Sequence, residues 1–168
     1  ADYIFHLFGD SIFNKNVISE FSLYPAGFGS QYGNATGGVF DVKLRDPRNQ
    51  DVTTIVDASM LKTGIMIEGG LAEDLAFYFS YRRSLLHLFL TEGEEDDGET
   101  ITKSPISDDY QGKYQWLIGD NQKLTFSVTG ASDVGALNIS AESESAKVDP
   151  DSIGETSLNT KFDQQTLS

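Results

Sequence analysis

Cysteine is absent from the 168 residues. That excludes a disulfide scaffold, a thiolate zinc site and a cysteine nucleophile. Histidine occurs only at His6 and His87, too little for an imidazole-rich metal centre. Positive charge is also scarce: 12 Lys and Arg stand against 26 Asp and Glu, for a net charge of −14. A chain this acidic has no general attraction for phosphate backbones, so no nucleic-acid partner is expected. No apolar run approaches the roughly 18 residues of a membrane-spanning helix. A membrane β-barrel is left open by that test, because its strands alternate apolar and polar residues.

The acidity is uneven. Residues 91–109 hold eight acids against Lys103, and residues 140–155 hold five against Lys147. Both stretches are rich in Ser, Gly and Thr and read as long solvated loops, expected at 87–109 and 135–158. The run Glu92, Glu94, Glu95, Asp96, Asp97 and Glu99 lacks the register of a helix–loop–helix calcium site. Asp108/Asp109 and Asp149/Asp151 fall in polar stretches with no apolar pocket in view to raise a carboxyl pKa. Gly27-Phe28-Gly29 belongs to neither a phosphate loop nor a dinucleotide fingerprint. Ser11 and Ser30 have no histidine and acid paired with them. No cofactor, metal site or enzymatic constellation is therefore expected. His6, between Phe5 and Leu7, reads as a packed, hydrogen-bonded histidine.

Between the acidic stretches the chain alternates with period two. Leu75, Phe77, Phe79 and Tyr81 fall on one side of a strand; Ala76, Tyr78, Ser80 and Arg82 fall on the other. Tyr110, Tyr114, Trp116 and Ile118 alternate with Gln111, Lys113 and Gln115, and Leu124, Phe126 and Val128 with Thr125, Ser127 and Thr129. Ile65 and Ile67 flank Met66, with Glu68 on the side of Met66. In the first strand Ile55 is a misfit on the polar side. Strands are expected near 51–60, 63–71, 74–86, 110–119, 123–134 and 159–168, forming an antiparallel meander. A sandwich with its apolar face inward produces this pattern. A membrane barrel produces it inside out, with the apolar face toward lipid. Short links near 72–73 and 120–122, against the two long acidic connections, match a barrel with tight turns at one end and long loops at the other.

The first fifty residues carry a sharper signal. Phe21–Tyr24 reads as a strand, followed by a Gly-rich crossing that includes Gly27. Then come Tyr32-Gly33, a small residue, and Gly37-Gly38 leading into a second strand, Val39–Leu44. This arrangement resembles the end of the plug domain of TonB-dependent outer-membrane receptors, and Tyr3–Asn14 resembles the plug segment just upstream. Two positions depart from that pattern: Ser22 stands where many members carry an acid, and Pro25 where many carry Arg or Lys.

The resemblance implies a mainly β protein. Residues 1–48 would be the C-terminal part of an α/β plug domain. Residues 49–168 would be about six antiparallel meander strands of an incomplete transmembrane β-barrel, out of about 22 in outer-membrane transporters. Gly27, Tyr32, Gly33, Gly37 and Gly38 would be the structural plug motif, and Glu68, Arg82, Lys113 and Gln115 would face the lumen. The chain opens in an apolar stretch and stops inside a strand, as expected of a piece of a longer protein.

The implied function is energy-coupled import of a scarce solute, of the siderophore-iron, cobalamin, glycan or peptide class, across the outer membrane of a Gram-negative bacterium. The implied partners are the lipid bilayer, the solute and the TonB energy-coupling protein, reached through a segment outside this chain. The alternative is a soluble β-rich binding or adhesion module with acidic, calcium-binding loops.

Overall fold

A computed structural model describes residues 6, 10–25, 39–90, 93, 95–96, 99–139 and 154–168. The protein is mainly β. Strands β1 (Ile18–Tyr24) and β2 (Val39–Leu44) form an antiparallel hairpin in which Phe21 faces Val42 and Leu23 faces Phe40. They are the two neighbouring strands that the sequence places there.

The second sheet is a meander of β3 (Thr53–Ala58), β4 (Lys62–Ala72), β5 (Leu75–Ser84), β7 (Glu99–Ile118), β8 (Gln122–Ile139) and β9 (Gly154–Leu167), each antiparallel to the next. A two-residue strand, β6 (Glu95–Asp96), pairs with the start of β7. Among the described residues the sheet stays open, with β3 and β9 at its edges.

The described helical turns are two 3-10 segments, Lys15–Val17 and Leu86–Leu88. The first is capped by Asn14, whose side chain accepts from the amide of Asn16. Among the described residues of 1–48 the helical element is the Lys15–Val17 turn, and the remaining regular structure is the β1–β2 hairpin.

β7 and β8 are longer than the alternation predicts, with 20 and 18 residues. The connections expected at 87–109 and 135–158 are correspondingly shorter, because β7 already begins at Glu99, β8 runs on to Ile139 and β9 begins at Gly154. The added pairs mix polar and apolar residues, Ser107 with Asp133 and Thr100 with Asn138 beside Ile101 with Leu137 and Ile106 with Val134. Register shifts between Ile101 and Lys103 and between Lys103 and Ile106 interrupt the alternation, so they leave no regular period-two signal. Pro105 further argues against a strand, and it sits where the β7–β8 ladder shifts register.

Register fixes the faces. Ile67, Phe79, Gly112 and Val128 form one cross-strand row; Leu75, Trp116 and Leu124 form another on the same face. Met66, Ser80, Gln111 and Thr129 form a row on the opposite face, as do Glu68, Tyr78, Lys113 and Ser127. Ile55 pairs with Met66, so the misfit of the first strand does lie on the polar face.

Burial is inverted relative to a water-soluble sheet. Phe79, Trp116, Phe126, Ile65 and Val56 are exposed, whereas Ser80, Asp109 and Gln111 are fully buried. Among the described residues, six buried hydrophobics stand against twelve buried polar or charged residues. The one apolar cluster of buried residues is small: Val17, Met66 and Tyr78, with Leu44 against them.

The apolar face has a polar border. Tyr81 and Tyr110 pair across β5 and β7, and one step on, Arg83 pairs with Asp108. The Tyr81 hydroxyl donates to Asp108, and Arg83 lies 3.6 Å from the same carboxylate. Opposite Tyr110 is Gly130, and a Cβ there would stand 2.3 Å from the tyrosine ring. Gly130 is the space into which that ring folds.

Candidate functional site

The polar face of the sheet carries the chain that precedes it. Period-two geometry aims Ser80, Arg82, Asp109, Gln111 and Lys113 to one side, and residues 10–17 and 45–48 lie across them. Asn14 is held twice: its amide donates to Gln111 Oε1 at 3.0 Å, and its Nδ2 donates to Ser80 Oγ at 2.7 Å. Gln111 Nε2 in turn donates to the carbonyl of Ile12 at 2.6 Å, and Arg82 Nη2 to the carbonyl of Ser11 at 2.7 Å. The sheet's side chains therefore satisfy the Ser11 and Ile12 carbonyls and the Asn14 amide, while Phe13, Asn16 and Val17 donate within the segment, and Ile12 and Val17 are fully buried.

Three charged clusters fasten this contact. In the first, His6 sits between two buried carboxylates, with Nδ1 2.8 Å from Asp133 Oδ1 and Nε2 3.1 Å from Asp109 Oδ2. Asp109 also accepts from Arg82 Nε at 2.8 Å and Lys62 Nζ at 3.1 Å, and Lys62 pairs with Asp10. In the second, Arg45 grips Glu68 with both terminal nitrogens, the Nη2–Oε2 bond measuring 2.9 Å, and the Arg48 amide adds a bond to Oε1 at 2.9 Å. Arg45 Nε reaches the carbonyl of Asn16 at 2.6 Å, and its guanidinium stands 5.3 Å from the ring centre of Tyr78. In the third, Asp46 takes Lys113 at 2.7 Å and Lys123 at 3.1 Å. The Lys113 hydrogen bond holds the Asp46 carboxyl below the usual carboxylate range, against the opposing effect of its partial burial and with help from Lys123.

Asp109 lies within β7 and is wholly buried. That corrects its placement in an open loop. Both ring nitrogens of His6 lie within hydrogen-bond distance of a carboxylate, Asp133 on one side and Asp109 on the other. No group of His, Asp and Glu among the described residues has the arrangement of a metal site. Around Asp109 the positive charge that a metal would supply comes from Arg82 and Lys62. The arrangement positions one chain segment against another through buried charges. Breaking such a pair is costly, while its net stabilisation is modest, so its contribution is register.

Of the residues expected at the site, Glu68, Arg82, Lys113 and Gln115 share the polar face, and the first three hold the overlying segment. Gln115 donates to Asp46 at a longer 3.4 Å. Gly27, Tyr32, Gly33, Gly37 and Gly38 lie outside the described residues. Sequence reading passed over Asp109 and Asp133 as partners. Their parity was a usable signal: counting back from Lys113 puts Asp109 on the polar face, and counting on from Thr129 puts Asp133 there.

Beside the contact, a cavity of about 490 Å³ opens between β2 and the β7–β9 wall, lined among others by Val42, Lys113, Ser127, Thr129, Gln164 and Thr166. No family model, curated protein or solved structure matches the chain.

Proposed function

We propose that this chain is the end of a plug and the first wall strands of a TonB-dependent outer-membrane receptor. In this reading residues 1–48 fill part of a lumen, β3–β9 are successive strands of the barrel wall, and the whole protein imports a scarce solute. The observation that carries the reading is the inversion of the sheet. A soluble sheet buries its apolar face; here the polar face is covered by a charged chain segment and the aromatic face is left open. A barrel wall around a plug requires that arrangement, with lipid against the aromatic face.

Dimensions agree with this. The apolar side of β7 from Tyr110 to Ile118 is about the 9–11 residues with which a tilted strand crosses hydrocarbon. The tyrosines at one border and Trp116 near the other suit the two interfacial girdles. The polar extensions of β7 and β8 then rise beyond the membrane, on the side of the long acidic connections. The three charged clusters fix the register of the plug against the wall, and replacing a buried pair as a whole changes stability little. They occur despite Pro25, with Arg45 and Asp46 supplying the ionic contacts.

Sedimentation of the chain with and without detergent tests the reading. Burial of each large side chain of the apolar face is worth about 1.5–3 kcal/mol. The expected result is aggregation in plain buffer and dispersion in detergent. A cooperatively melting monomer in plain buffer overturns the proposal and favours a soluble binding module. In cells, import by the protein containing this chain is expected to stop when the inner-membrane proton gradient is dissipated.

A further inference from the structure

The polar face of the sheet is not equally occupied along its width. Under residues 10–17 and 44–46, Ser80, Gln111 and Lys113 are all hydrogen-bonded to the chain above them. Beyond that contact, Ser127 and Thr129 on β8 and Gln164 and Thr166 on β9 make no side-chain hydrogen bond among the described residues. They form two cross-strand pairs, Ser127 with Thr166 and Thr129 with Gln164. Strand geometry sets them as a grid about 5 Å across the strands and about 7 Å along them. This grid lines the cavity of about 490 Å³, a volume within the roughly 300–1,000 Å³ of small-molecule sites. The facing side is apolar: Phe40, Val42 and Leu44 share one side of β2 by period two, and Phe13 also lines the cavity.

The cations of the lining are already matched. Lys113 lies 2.7 Å from Asp46 and Lys43 2.7 Å from Glu20, with the Asp41 carboxylate also in the field of Lys43. An anionic ligand would meet neutralised cations and a carboxylate, and its own charge would stay unpaired. The four free polar side chains are hydroxyls and an amide, which both donate and accept. With aromatic and aliphatic carbon opposite, they complement a molecule that has a rim of hydroxyls and an apolar C–H face. A pyranose sugar is such a molecule.

We propose that the cavity between β2 and β8–β9 is a binding site for a neutral oligosaccharide. Ser127, Thr129, Gln164 and Thr166 exchange hydrogen bonds with its hydroxyls, and Phe13 and Phe40 cover the face of a sugar ring. The site stands on the chemistry of the cavity; that this sugar is the imported solute rests on the receptor reading.

Saturation-transfer NMR and titration calorimetry test the site on the whole chain, in micelles of a detergent without a sugar headgroup. The probes are maltose, cellobiose, chitobiose and mannobiose, with glucuronate and a tripeptide blocked at both ends for comparison. At least one of the neutral disaccharides should bind saturably, in the millimolar range or tighter. Thr129→Val and Gln164→Leu should each weaken that binding about tenfold, the effect of one lost hydrogen bond. Phe13→Leu should weaken it as well. If Thr129→Val does not fold, Gln164→Leu decides, since Gln164 is an exposed residue of the edge strand. Three results overturn the proposal: no saturable binding of any neutral sugar, sugar binding that Gln164→Leu leaves unchanged, or tighter binding of glucuronate or the tripeptide than of every neutral sugar. The receptor reading fails separately, by a monomer in plain buffer, and such a monomer that binds sugar keeps the site without the receptor.

Discussion

Phe79 and Ser80 are neighbours in the chain with opposite environments: the phenylalanine is 45% exposed and the serine is completely buried. The period-two geometry of β5 places them on opposite faces, and what covers each face makes the hydroxyl the interior group. Ser80 accepts a hydrogen bond from Asn14, whereas Phe79 lies in the open row with Ile67 and Val128.

Phe79→Lys distinguishes lipid from water on that face. In a bilayer the substitution should destabilise the folded protein by about 2–4 kcal/mol, the cost of a lysine near the midplane of a barrel wall. On a water-exposed face the change would be close to neutral. Urea titrations of the protein containing this chain, folded into vesicles, measure the difference.

Trp116 is the single tryptophan and is 39% exposed, with its Nε1 2.8 Å from Asp74 Oδ2. Its ring should be quenched by lipids brominated on the acyl chain. Bromines close to the headgroup should quench more than bromines at the chain end, because the hydrogen bond to Asp74 ties the indole to the polar border. Equal fluorescence in brominated and plain lipid would place this face away from hydrocarbon.

Arg45→Ala leaves the Glu68 carboxylate, 2% exposed, without its bidentate partner. Removing one member of such a buried pair should cost about 3–5 kcal/mol. Replacing both, as Arg45→Met with Glu68→Leu, should cost less than Arg45→Ala alone. Denaturant unfolding in micelles compares the two variants, and a double variant as unstable as the single one would assign the loss to packing.

Asp46 gives a contribution that acid removes. Its carboxyl titrates below the ordinary range because it is ionised beside Lys113 and Lys123. The stabilisation is therefore complete above the unfolded carboxyl pKa and disappears as pH falls through the lowered folded value. The carboxylate is about half exposed, so the effect should stay under about 1 kcal/mol. Asp46→Asn should remove it at neutral pH and flatten this part of the acid titration, read as the midpoint of denaturant unfolding against pH.

The existence, direction and faces of the meander were legible in the residues themselves, because alternation such as Phe77-Tyr78-Phe79-Ser80 admits one assignment of sides. So was the pairing of Phe21–Tyr24 with Val39–Leu44. The full lengths of β7 and β8 were not. Glu99–Asp109 and Gly135–Ile139 pair across two register shifts, between Ile101 and Lys103 and between Lys103 and Ile106, and a strand whose register shifts does not keep a regular alternation. The partners across the site were also beyond sequence reading. His6 lies 103 residues from Asp109 and 127 from Asp133, and no local pattern encodes which carboxylates a distant histidine will meet. The sequence alone determined that one face is aromatic and the other polar. Only the tertiary structure decided which is the inside: the segment before β1 and the residues after β2 satisfy the polar face with buried hydrogen bonds and ion pairs, and so leave the aromatic face to whatever solvent surrounds it.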